Sequence, residues 1–240
     1  MPFHSPKCVR LVKKFASYLK PTGIVGNGDL VDCFSVSRFE KDPRVKTTLA
    51  RERRTAAELW SSLPRTKQRY WMCGNHEDRV HRYIIEHAQQ FVPFGTSADE
   101  ALERIKFRNL FQTDKMGVDW KEANSGVFLG KLYVTHGVHA LQHSAYSARK
   151  HYDKFGCSVL HGHSHRLGAY YKTDLGGPKA AFENGCLCSM KQPGDYTKGL
   201  PNWQHGFSVV HVDAGGMFSV QQIPILAQHF CYFGGKRFEV

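Results

Sequence analysis

Residues 22–32 read Thr22-Gly23-Ile24-Val25-Gly26-Asn27-Gly28-Asp29-Leu30-Val31-Asp32, a short apolar run that breaks at a glycine and delivers a carboxylate. A buried strand of a parallel sheet has this pattern, and its C-terminal end opens onto the crevice where α/β sheets bind ligands. Three later segments repeat the form. Gln68–Cys73 empties into Gly74-Asn75-His76-Glu77, Leu132–Thr135 into His136-Gly137, and Cys157–Leu160 into His161-Gly162-His163-Ser164-His165. Four strand ends thus each present a polar side chain beside a glycine-rich turn, which predicts that Asp29, Asn75, His136, His163 and His165 converge on one site together with His76. Carboxylate, amide and imidazole donors in one shell suit Mn, Fe, Zn, Co or Ni better than Ca or Mg.

Outward from these turns the chain alternates helix and strand, so the expected class is α/β in a single domain over residues 1–240. Ser5-Pro6 reads as a helix cap, and Cys8, Leu11, Val12, Phe15 and Leu19 repeat at helical spacing up to Pro21. Further helices are expected over 44–62, 79–90 and 141–154, with one short helix around Leu102, Ile105 and Leu110 in the otherwise weakly periodic stretch 91–125. Hairpins are expected for 127–129 with 132–135, 167–173 with 179–184, and 207–213 with 217–225. No repeat or low-complexity segment interrupts this order.

Composition narrows the function classes. No run approaches the roughly 18 apolar residues of a membrane span, and the lysine- and arginine-rich N-terminus does not read as a signal peptide, so a cytoplasmic protein is expected. The seven cysteines lack paired spacing and are expected to be reduced, with Cys186 and Cys188 explained by burial alone. The formal charge is +12, and residues 1–82 hold 17 Lys and Arg against 8 Asp and Glu. That bias fits a phosphate-bearing partner such as a nucleotide or nucleic acid, or simply a solvated basic face. Arg79 and Arg166 follow motif residues closely and could contact a substrate phosphate, but solvated surface side chains are the expectation. Histidines outside the motifs are expected to be structural or superficial. Nothing here specifies an oligomeric state.

Gly28-Asp29-Leu30-Val31-Asp32, Gly74-Asn75-His76-Glu77 and Gly162-His163-Ser164-His165, with His136-Gly137 between, resemble the motifs of the calcineurin-like metallophosphoesterases. Glu183-Asn184-Gly185-Cys186 and Asn202-Trp203-Gln204 are similar to the phage and bacterial branch. The resemblance implies a β-sandwich flanked by helices and hydrolysis of phosphoesters at two divalent ions. Asp29 would bridge the ions; Asn75, His136 and His163 would complete one shell, and His165 would belong to the other. His76 would be the general acid and Asp32 would orient it. A phosphodiesterase or nuclease is the leading expectation, a phosphomonoesterase is nearly as compatible, and a degenerate, non-catalytic phosphate-binding or nucleic-acid-binding member is the alternative. Family members also begin with a buried strand ending in Asp-x-His, and Met1-Pro2-Phe3-His4 resembles the segment that follows it. Met1 is therefore expected to be an internal residue of a longer protein. A chain lacking that first strand would hold its first ion with Asp29 and His165 alone, so one ion in place of two, and weak or absent catalysis, are expected of it.

Overall fold

Buried aromatic and aliphatic side chains, spaced by two along strands and by three to four along helices, assemble two compact units in the computed structural model, which describes residues 3–87, 100, 103–190 and 201–240. The first unit comprises residues 21–123 and the second residues 3–20 with 124–240. Both are mixed α/β, with sheets flanked by helices, as expected of the fold class.

In the first unit, β1 (Gly23–Gly26), β2 (Gln68–Met72) and β3 (Asp119–Lys121) form a parallel sheet in the order β1-β2-β3. Parallel strands need crossovers, and α2 (Leu49–Ser62), α3 (Asp78–His87) and the short α4 (Phe107–Phe111) lie in those connections. Trp71 of β2 is the centre of the core. It packs against Trp60 of α2, Phe107 and Phe111 of α4, and Trp120 of β3. Sequence periodicity places the start of α2 at residue 44, but the helix starts at Leu49 because the Thr48 side chain accepts the Arg51 N–H and caps it there. Within 91–125, α4 takes up Leu110, whereas Leu102 and the expected extension of α3 to residue 90 lie outside the described residues.

In the second unit, a five-stranded sheet runs β4 (Gly126–Leu129), β5 (Leu132–Thr135), β6 (Val159–His161), β8 (Gly177–Glu183) and β7 (Gly168–Asp174). Its centre is parallel and both edges are antiparallel hairpins. Helix α5 (Tyr146–Phe155) buries Ala148 and Tyr152 against Val159 and Ala181. It starts five residues later than its periodicity predicts. Ala145 adopts a left-handed backbone, and Ser144 and Ser147 spend their hydroxyls on the loop through Leu167 O and Leu141 N. Two further hairpins, β9 (Gly206–Val212) with β10 (Phe218–Pro224) and β11 (Phe230–Phe233) with β12 (Lys236–Glu239), carry α1 (Pro6–Leu19). Leu11 and Phe15 face this layer, and the Phe15 ring meets Phe207, Phe233 and Phe238 edge-on.

Trp71→Ala removes the ring on which the first core converges and is expected to cost about 3–5 kcal/mol. Denaturant unfolding followed through the first unit's tryptophans checks this.

Candidate functional site

Glu77 is fully buried and organises the turns of the first unit. Its carboxylate accepts the backbone N–H groups of Asp29, Leu30 and Val31 from the turn after β1, that of Gly74 from the turn after β2, and the Trp71 indole N–H. A buried carboxylate is costly unless its oxygens are filled by donors, and here both are. The two turns are joined a second time where the His76 N–H donates to Asp29 Oδ1 at 3.0 Å. Close approach at this junction requires glycine at position 74: a Cβ there would lie 2.1 Å from Asp29 Oδ1 and 2.5 Å from Asp29 N. Asn75 lies in the same turn, between Gly74 and His76.

The His76 ring is fixed by charge. Its Nδ1 is 2.7 Å from Asp32 Oδ1, and its Nε2 is 3.8 Å from Asp29 Oδ2. Burial works against a charged imidazole, but Asp29 and the Asp32 hydrogen bond outweigh it, so the His76 pKa is raised above its ordinary value. Burial likewise opposes the Asp32 charge, and His76 outweighs it, leaving Asp32 lowered. Arg79 is the third member. It donates to the Asp32 carboxylate at 3.0 Å and to the Asp32 carbonyl at 2.8 Å, and its other terminal nitrogen is 3.2 Å from His76 Nε2. Arg79 is 9% exposed and Arg166 is 7% exposed, so the surface expectation for both is corrected. Asp32 draws Arg79 inward, and the carbonyls of Gln142 and Ser164 draw in Arg166. The Asp32 turn is itself held by buried Glu52, which accepts the N–H groups of Asp32, Cys33 and Phe34.

The second unit presents its histidines from the ends of β5 and β6. His136 and His163 lie edge to face with ring centroids 5.2 Å apart. Ser164, between His163 and His165, donates to buried Glu183, which also accepts the Ala148 N–H. Behind them, His151 donates from Nδ1 to Ser147 O and accepts the Val138 N–H at Nε2, a pattern that only the neutral ring satisfies. Burial lowers its pKa to about 4, and burial together with His151 also depresses His161. A ring nitrogen of His165 gathers with the thiols of Cys186 and Cys188, all within 4.8 Å of one another. Asp29, His163 and His165 all hold left-handed backbone, at φ of 54°, 58° and 59°. Non-glycine residues held in that region mark positions that the surrounding structure over-determines, and they cluster at functional sites.

Sequence alone missed the buried glutamates 52, 77 and 183, the inward Arg79 and Arg166, and the cysteine pair beside His165. The only available signal was position, since Glu77 and Glu183 each stand at the edge of a recognised motif.

No family model matches the chain. It is 31% identical over 246 residues to the gene 54 protein of Mycobacterium phage L5, an alignment that covers 98% of this chain and 93% of that protein. The chain belongs to the phage gene 54 protein family. The gene 54 protein of Mycobacterium phage D29 is 29% identical over the same shares of each chain. Among solved structures, a Vps29 single mutant from Entamoeba histolytica superposes with a TM-score of 0.33 at 10% identity, covering 85% of this chain and 98% of that one.

Glu77→Gln keeps the shape but turns an amide N–H₂ toward backbone donors, and is expected to destabilise the first unit by roughly 2–5 kcal/mol. Equilibrium unfolding measures it, and a loss under about 0.5 kcal/mol contradicts the role given to Glu77. A separate expectation concerns acid. With His151 depressed in the folded chain, the unfolded chain binds more protons, so stability is full above pH 6.5 and is lost as pH falls from 6.5 toward about 4. Unfolding midpoints across that range should fall with pH, with a shallower slope in His151→Gln.

Proposed function

We propose that the chain is a metal-dependent phosphoester hydrolase of the metallophosphoesterase type, acting on phosphodiesters, nucleic acid or nucleotides included. The observation that carries this reading is the His76–Asp32–Arg79 network beside the Asp29 carboxylate, an arrangement suited to moving a proton. The donor chemistry fits divalent cations. Asp29, Asn75, His136, His163 and His165 supply a carboxylate, an amide and imidazoles, and three of these five are strained at their backbones. Mn, Fe, Zn, Co or Ni held there would polarise the phosphoester and generate a nucleophile from water near neutral pH.

The protein's own groups carry the remaining work. Asp32 accepts from His76 Nδ1, which fixes the ring orientation; Nε2 takes an Arg79 N–H in the resting chain, and in its protonated form it would hand a proton to the departing oxygen. Arg79 keeps Asp32 ionised and oriented, so it positions the acid and is not a surface cation. Glu77 and Glu52 hold the backbone under Asp29 and Asp32, which keeps the carboxylates from relaxing away when a charged substrate arrives. The excess positive charge of the chain favours encounter with polyanions, which supports a nucleic-acid substrate.

In the presence of manganese, hydrolysis of a model phosphodiester should exceed that of a model monoester. His76→Ala should lower kcat by about 10²–10⁴-fold and Asp32→Asn by less, while Asp29→Ala should abolish turnover. Turnover that is indifferent to His76→Ala would sink the assignment of the acid. Salt-dependent nucleic-acid binding without any turnover would favour the non-catalytic reading instead.

A further inference from the structure

The second unit contains a donor cluster that sets two thiols, unused by the phosphoester chemistry, beside His165. The Cys186 and Cys188 sulfurs are 3.3 Å apart, and a ring nitrogen of His165 lies within 4.8 Å of both. We propose that His165, Cys186 and Cys188 form a site for a thiophilic divalent cation of the zinc class, with a fourth position open to water or another ligand. All three donors lie in the second unit, so the proposal stands whether or not hydrolysis is found.

Backbone geometry supports a built site. The Cys186 N–H donates to Gln204 O and its carbonyl accepts the Gly206 N–H. On the other side of the pair, the Leu187 carbonyl accepts the Ser5 N–H and the Ser189 N–H donates to Phe3 O, while His205 Nε2 is 2.6 Å from Cys188 O. The Cys-x-Cys segment is thus clamped on both sides before any ion arrives. His165 is set by its left-handed backbone, by the hydrogen bond from Gln204 N to its carbonyl, and by the Trp203 ring, which meets it edge-on at 4.5 Å. His165 Nδ1 is buried without a hydrogen-bond partner among the described residues, and the His165 side chain is in hydrogen-bond contact with Cys188.

Dimensions and chemistry agree. Tetrahedral zinc with Zn–S bonds near 2.3 Å separates its sulfurs by about 3.7 Å, so the pair needs to open by roughly half an ångström. Two thiolates and one imidazole select soft or borderline cations over Mg or Ca. The two thiols distinguish this cluster from the carboxylate-, amide- and imidazole-rich set proposed for hydrolysis, with which it shares only His165. Cation uptake would release the thiol protons, and the net charge of the thiolate pair would balance that of the ion.

The test is a cobalt(II) titration of the full chain under reducing conditions, read by absorption. The wild-type chain should develop the thiolate-to-cobalt charge-transfer band in the near ultraviolet, saturating at one cobalt per chain. Cys186→Ser and Cys188→Ser should each lose at least half of that intensity, and Asp29→Ala should keep it even if hydrolysis is lost. Folding of each variant is checked by circular dichroism, and His165→Ala, which retains both thiols, should weaken cobalt affinity at least tenfold. A wild-type chain with no band, or a band that survives in both folded cysteine variants, overturns the proposal.

Discussion

Five N–H groups converge on the Glu77 carboxylate, and the candidate chemistry of the first unit depends on that convergence. The turn after β1 carries Asp29 and the turn after β2 carries Asn75 and His76. Neither turn has regular secondary structure to hold it. A buried carboxylate bonded to both makes their relative placement part of the core, because breaking the pair would leave an uncompensated charge in a fully enclosed site. Gly74 is the geometric partner of this solution, since only a residue without a side chain lets the second turn approach Asp29 so closely.

The same device recurs twice. Glu52 binds the three successive N–H groups that begin at Asp32, and Glu183 binds Ser164 and the Ala148 N–H beneath the histidine turn. Loops that carry reactive side chains must be irregular to aim them, and irregular backbone leaves donors unpaired. Glu77 and Glu52 satisfy those donors while fixing their loops, which supports the left-handed backbone at Asp29, and Glu183 anchors the histidine turn through the Ser164 hydroxyl. Side chains held on fixed backbone would need little rearrangement in the roles proposed for them.

Much of this was legible beforehand. The apolar runs before Gly28, Gly74 and Gly137 located β1, β2 and β5, and the Gly130, Gly176 and Gly215-Gly216 turns located three hairpins, because burial and turn chemistry are local properties. Helix starts shifted where a single side chain, Thr48 or Ser147, decided between cap and loop. Strand β3 is only three residues long and too short to show periodicity, while the Gly234-Gly235 turn between β11 and β12 carries a readable hairpin signal. The inward Arg79 and the His165 cluster were not legible, because they depend on which residues from distant segments share a volume.

The most direct test of the phosphoester reading is the manganese content of the purified chain after loading and removal of excess ion. Manganese prefers oxygen and nitrogen donors, so it reports binding that involves Asp29 and not the thiol pair. At least one ion per wild-type chain and none in Asp29→Ala is the predicted result. A wild-type chain that retains no manganese, or an Asp29→Ala chain that retains as much, would contradict it.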